Sequence, residues 1–185
     1  RQSGAGTLVL GYQSTNGALA GKGNVTINGG VLEIASGAYL YNLTYNTASV
    51  ITVNTGGTLR LRSFDYGAAS GSGSLGAVSA YSNQRILTGG TIEVVGGTQT
   101  SGCDFRVTSN STGTFRYTPS GQTLTLGNNV NDNIWLGGTL TFDTVGNITV
   151  NEVMQDNTTA GSVTKIGAGT LTLGGANTYT GFTTL

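Results

Sequence analysis

Apolar and polar residues alternate in short bursts along this chain, and each burst follows a glycine. Written as Gly, Thr or Val, apolar, any residue, apolar, the phrase recurs as GTLVL from Gly6, GVLEI from Gly30, GTLRL from Gly57, GTIEV from Gly90, GTFRY from Gly113, GTLTF from Gly138 and GTLTL from Gly169. A two-residue period places alternate side chains on opposite faces of a strand, so each phrase predicts a strand with one buried face. No helix-period stretch competes. Stacked phrase on phrase, they predict a core ladder of Leu8, Leu32, Leu59, Ile92, Phe115, Leu140 and Leu171. Glycine-rich corners such as NGG, NTGG and LTGG precede most copies, where a sharp bend needs backbone angles that a Cβ opposes. A further short strand is readable before several corners, at 24–28, 50–54, 105–109 and 147–151.

Successive phrases begin 24, 27, 33, 23, 25 and 31 residues apart, the range of repeat architectures. Most of these units are too short for a four-stranded propeller blade, and they lack tight hairpin turns. They fit one coil of a parallel β-solenoid, whose equivalent strands stack about 4.8 Å apart. The expected fold is therefore all-β, a parallel β-helix of about seven rungs forming a single domain over residues 1–185, with a loop excursion at 62–84. Burial of one strand face per rung does not offset the ordering of so much backbone, so further strands must complete each rung. The first and last phrases read as open rungs, as in a segment of a longer stalk or a subunit that stacks end to end on its own copies.

In-register stacking gives the outward positions a reading of their own. The fourth residue of the phrase reads Val9, Glu33, Arg60, Glu93, Arg116, Thr141 and Thr172, so Glu33, Arg60, Glu93 and Arg116 form an outward ladder of alternating charge. Opposite charges on neighbouring strands attract, and like charges oppose a slipped pairing, so the ladder fixes register. The second position is mostly threonine, but the Glu and Arg column beside it rules out a flat threonine surface of the ice-binding kind.

Composition narrows the function classes. Eight basic and eight acidic residues leave no net charge to attract nucleic acid or an anionic membrane, and no apolar run is long enough to span one, so neither is expected as a partner. The start, RQSGAG, does not read as a signal peptide. The lone Cys103 has no intrachain partner for a disulfide; it lies in phase with Phe105 and Val107 and reads as a small buried apolar group. With no histidine and five aspartates spread over separate units, no catalytic, cofactor or metal site is expected; Glu152 and Asp156 read as part of a solvated connection. Five Asn-x-Ser/Thr triplets, at Asn24, Asn42, Asn110, Asn147 and Asn157, reflect strand and corner composition. Two features are candidate ligand surfaces, with surface glycans as the alternative partner: Tyr39, Tyr41 and Tyr45, which share a side of an extended segment and would stack on sugar rings if exposed, and the 62–84 excursion.

The closing residues carry a resemblance. KIGAGTLTLGGANTYTGFTTL at 165–185 resembles the autotransporter-associated β-strand repeat, or passenger-associated transport repeat, of large secreted bacterial surface proteins. Lys165, Gly167, Gly169, Leu171, Leu173, Gly175, Asn177, Thr178, Tyr179, Thr180 and Gly181 fall where that pattern expects them; Phe182 replaces a glycine, and SGAGTLVLG at 3–11 matches the first half alone. The resemblance implies a right-handed coil, export to the cell surface and no enzymatic residues. The expected function is mechanical: a rigid stalk or self-assembling extracellular fibre whose partners are neighbouring repeats or copies of itself. The alternatives are a carbohydrate-binding adhesin module and a fragment of a glycan-degrading β-helix enzyme.

Overall fold

A computed structural model describes residues 4–11, 24–35, 50–62, 85–101, 105–127 and 133–185. Among these described residues, strands numbered in chain order form three sheets. The first holds eight: β1 Thr7–Leu10, β3 Gly30–Ile34, β5 Gly57–Leu61, β7 Thr91–Val94, β10 Thr112–Tyr117, β13 Thr139–Thr144, β16 Ser162–Ile166 and β18 Thr183–Thr184. The second holds six: β2 Val25–Ile27, β4 Ile51–Asn54, β6 Arg85–Thr88, β9 Phe105–Val107, β12 Asn133–Leu136 and β15 Val153–Asp156. The third holds four: β8 Gln99–Ser101, β11 Thr123–Leu126, β14 Asn147–Val150 and β17 Leu171–Leu173.

The chain visits the six-, eight- and four-stranded sheets in turn, and neighbours within each sheet run parallel. This is the path of a β-solenoid. The rung count differs from the expected seven. Among the described residues, four turns, β6–β8, β9–β11, β12–β14 and β15–β17, contribute to all three sheets and the two before them to two, which amounts to about five full turns.

Inside, apolar columns run the length of the coil. Leu8, Leu32, Leu59, Ile92, Phe115 and Phe142 stack in register, and Leu10, Ile34, Leu61, Val94 and Tyr117 form a second column beside them. Ile27, Val53, Leu87, Val107 and Leu136 line the six-stranded side. From Leu32 inward these side chains are buried, whereas Leu8 on the outermost strand is 47% exposed. Tyr117 is fully buried yet satisfied, its hydroxyl donating to the Gly97 carbonyl at 3.0 Å, and burial raises its pKa.

Two members of the expected core ladder lie elsewhere. Leu140 is buried in the eight-stranded sheet but faces Gly113 and Val163, because β13 is shifted by two residues against the phrase alignment and Phe142 takes the place beside Phe115. A two-residue shift keeps every side chain on its own face. The space is available because Gly113 has no side chain; a Cβ there would meet Leu87 at 2.8 Å. Leu171 lies in the four-stranded sheet beside Ile148; in the larger sheet Val163 of β16 is buried beside Leu140, and Lys165 is the register partner of Phe142. Between β16 and β17, Gly167 turns the corner at φ 84°, with its Cα so near the Thr144 carbonyl that a Cβ would sit 2.4 Å from the oxygen.

Candidate functional site

The outward face of the eight-stranded sheet carries the charges. Stacking places Glu33 of β3, Arg60 of β5, Glu93 of β7, Arg116 of β10 and Asp143 of β13 in one column. Arg60 bridges two turns, with Nε donating to Glu93 Oε2 at 2.6 Å and Nη1 to Glu33 Oε2 at 3.4 Å. Arg116 does the same more loosely, its Nε 2.7 Å from Asp143 Oδ2 and its Nη1 3.9 Å from Glu93 Oε1. Arg62, just beyond β5, donates to Glu33 Oε1. Although their strand positions point out, Glu33 and Glu93 are only 5% and 7% exposed, while the arginines stay half-exposed over them. Arginine's planar fork is what lets one side chain serve carboxylates on two neighbouring strands.

Asp143 enters this column because of the two-residue shift; phrase alignment had assigned the place to Thr141. Thr141 instead continues the adjacent threonine column, Thr58, Thr91, Thr114, Thr141 and Thr164. The Arg62 guanidinium first, and Arg60 after it, hold the Glu33 carboxyl below the usual glutamate range. A carboxylate with a lowered pKa in the folded state adds stability that is complete above the ordinary range and fades as pH falls through the lowered value. Arg62→Gln should therefore move the acid-unfolding midpoint, followed by far-UV circular dichroism, to higher pH; an unchanged midpoint would detach Glu33 from acid stability.

A second polar cluster ties the last turns together. Asp156 Oδ1 accepts the N–H of Gly161 at 2.7 Å and of Thr180 at 3.1 Å, and its Oδ2 accepts the Thr180 hydroxyl at 2.7 Å. The Gly161 bond leads in holding the Asp156 pKa below the usual aspartate range. Glu152, next to β15, is 1% exposed, and residues 153–156 form a strand with Met154 buried, so the expected solvated connection is instead part of the wall. Asp156→Ala should speed amide exchange at Gly161 and Thr180 while leaving exchange in β10 and β13 unchanged, because the cluster closes one turn. Equal acceleration everywhere would make Asp156 a global rather than a local tie.

Asparagines tie corners in the same way: Asn24 Oδ1 accepts the Val50 N–H and Asn147 Oδ1 the Thr170 N–H, each at 3.0 Å. Two of the Asn-x-Ser/Thr triplets thus begin at residues that bind the next turn. Among the described residues, no three of His, Cys, Asp and Glu gather as a metal site, and no helix is long and apolar enough to cross a membrane. Tyr39, Tyr41 and Tyr45, Cys103, and the excursion from residue 63 to 84 lie outside the described residues. The sequence reading passed over Trp135, which stands at an outward position of β12.

A family model described as passenger-associated-transport-repeat matches residues 1–34 and 163–185. No curated protein and no solved structure gave a significant match. The matched parts include β1, β2, β3, β16, β17 and β18, the outermost strands of the eight-stranded sheet among them. At both ends of one parallel coil, then, the chain is similar to the passenger-associated transport repeat.

Proposed function

We propose that the chain is a rigid structural segment of an autotransporter passenger, displayed at the bacterial cell surface, and that its work is to hold other parts of that passenger at a distance. The observation that carries this reading is the match of a transport-repeat model to residues 1–34 and 163–185, at the two ends of an in-register solenoid. Eight strands stacked about 4.8 Å apart set the ends of the main sheet about 34 Å apart. The cross-section is held by packed columns and by the Arg60 and Arg116 bridges, so load along the axis is borne by every turn.

Its partners in this reading are neighbouring repeats, or further copies, stacked on the first and last turns. Val9 and Leu8 on one side and Phe182 on the other expose apolar surface that such a neighbour would cover. The charged side chains here serve register, so the reading assigns no catalysis.

The test inserts the chain between an epitope and the membrane-embedded translocator of a bacterial autotransporter. Antibody should reach the epitope on intact cells, and each added copy of the chain should move it outward by a constant increment in electron micrographs. An epitope that stays inside, or a distance that does not grow with copy number, would defeat the reading. The purified chain separates the two forms of the proposal: uniform filaments mean a fibre, isolated short rods a stalk.

A further inference from the structure

The six-stranded sheet has an outer face of different character from the charge ladder. Its central outward column runs Thr26, Thr52, Ile86, Arg106, Trp135 and Gln155 on successive strands. In β12 the neighbours Ile134 and Leu136 are buried inward, which turns the half-buried indole of Trp135 outward. Arg106 lies one strand before it and Gln155 one strand after, each about 4.8 Å away along the coil. Asn133, two residues earlier in β12, shares the face and accepts a hydrogen bond from Gln155 Nε2 at 3.2 Å.

We propose that Trp135, Arg106, Gln155 and Asn133 form a binding site for an acidic, uronate-bearing polysaccharide. The indole supplies a flat apolar surface for the C–H face of a sugar ring. The two amides beside it offer donors and acceptors for hydroxyl groups, and a guanidinium matches a carboxylate with paired N–H groups. Arg106 and Asn133 already have partners within the fold, which orients them before a ligand arrives. With five donors, a guanidinium can serve a fold contact and a ligand together. A rigid parallel sheet removes the ordering cost that a loop-borne site would bear.

Charge selects the acidic ligand. The described carboxylates Glu33, Glu93 and Asp143 are bridged by arginines on the eight-stranded sheet, Asp156 is engaged by Gly161 and Thr180, and Glu152 is buried in the wall at 1% exposure. In the outward column around Trp135, Arg106 bears the charge. With zero net charge, the chain as a whole does not attract polyanions, so binding of one must be local.

Trp135 is the chain's one tryptophan, so selectively excited emission reports this site. The experiment titrates the whole chain with polygalacturonate and, separately, with neutral dextran of similar length, and compares Trp135→Ala and Arg106→Gln by affinity electrophoresis in both polymers. Polygalacturonate should shift the emission saturably, and dextran should not. Trp135→Ala should weaken retardation about tenfold, and Arg106→Gln should abolish the preference for the acidic polymer. Silent emission with polygalacturonate, equal retardation of wild type and Trp135→Ala, or an equal response to dextran would overturn the assignment. If Trp135→Ala fails to fold by circular dichroism, the wild-type titration decides alone. The proposal stands apart from the mechanical role, since display on cells tests one and emission the other.

Discussion

Replacing Phe115 with alanine should lower the unfolding free energy by about 3–5 kcal/mol, the cost of emptying a fully packed aromatic site. Phe115 is 0% exposed and sits where two directions of packing meet. Across the turn its ring stacks on Phe105 of the six-stranded sheet, with centroids 5.6 Å apart at 18°. Along the coil it meets Phe142 of the next turn at 6.1 Å and 51°. Alanine there removes both contacts, and neither partner can follow into the space without leaving its own strand. In a solenoid each turn touches only its neighbours, so stability is a sum of turns and the interfaces between them. A loss at one interface in mid-coil should therefore also uncouple the parts before and after it. Urea unfolding followed by circular dichroism should show a lower midpoint and a broader transition than wild type, whereas Phe115→Leu, which refills most of the volume, should cost less than about 1.5 kcal/mol. A deficit under about 1 kcal/mol for the alanine variant would mean that the aromatic column does not hold the turns together.

The same column explains what the sequence made legible. Alternation behind a glycine identified strands, and the absence of tight turn pairs at a repeat-like spacing identified a parallel coil. Both follow from the two-residue period and the geometry of a corner. Which side of the coil a phrase occupies does not follow, because every side asks for the same alternation. GTLVL from Gly6 lies in the eight-stranded sheet and the nearly identical GTLTL from Gly169 in the four-stranded one. Likewise NITV at 147–150 joins the four-stranded sheet, while the similar VTI at 25–27 and ITVN at 51–54 join the six-stranded one. The two-residue shift of β13 was invisible for a related reason: it changes no face. Contacts between side chains decide it, through Phe115 on Phe142 and Arg116 on Asp143, and the phrase template contained neither pairing. The ladder from Glu33 to Arg116 was readable because opposite charges at one phrase position have few other uses; its extension to Asp143 depended on the shift. Trp135 gave no signal in sequence, since NIWL is apolar at three of four places and only the strand's alternation shows the indole facing out.

Replacing Arg60 with methionine should cost about 2–3 kcal/mol at neutral pH, more than the ~1 kcal/mol ceiling of an exposed ion pair and less than the removal of a deeply buried partner. The intermediate value follows from the geometry: Arg60 is 31% exposed by its side chain, but the two carboxylates under it are nearly covered. Without the guanidinium, Glu93 keeps only the longer 3.9 Å contact to Arg116, and Glu33 keeps Arg62. Glu33 then loses the second of the two guanidinium groups that hold its carboxyl low, so its pKa must rise toward the ordinary glutamate value. The sign of the pH effect follows. At neutral pH Glu33 is ionised and the variant bears the full penalty; as pH falls through the glutamate range it protonates, and the deficit relative to wild type must shrink. Arg60→Lys keeps the charge but cannot reach both strands with a planar fork, so its loss should lie between methionine and wild type. Arg60→Glu should be the worst of the three, because it stacks three carboxylates about 4.8 Å apart on successive strands and turns the register signal into a repulsion. Urea midpoints at neutral and acid pH decide the matter: a methionine deficit that is absent at neutral pH, or that persists undiminished in acid, would show that the ladder does not set the pairing of these turns.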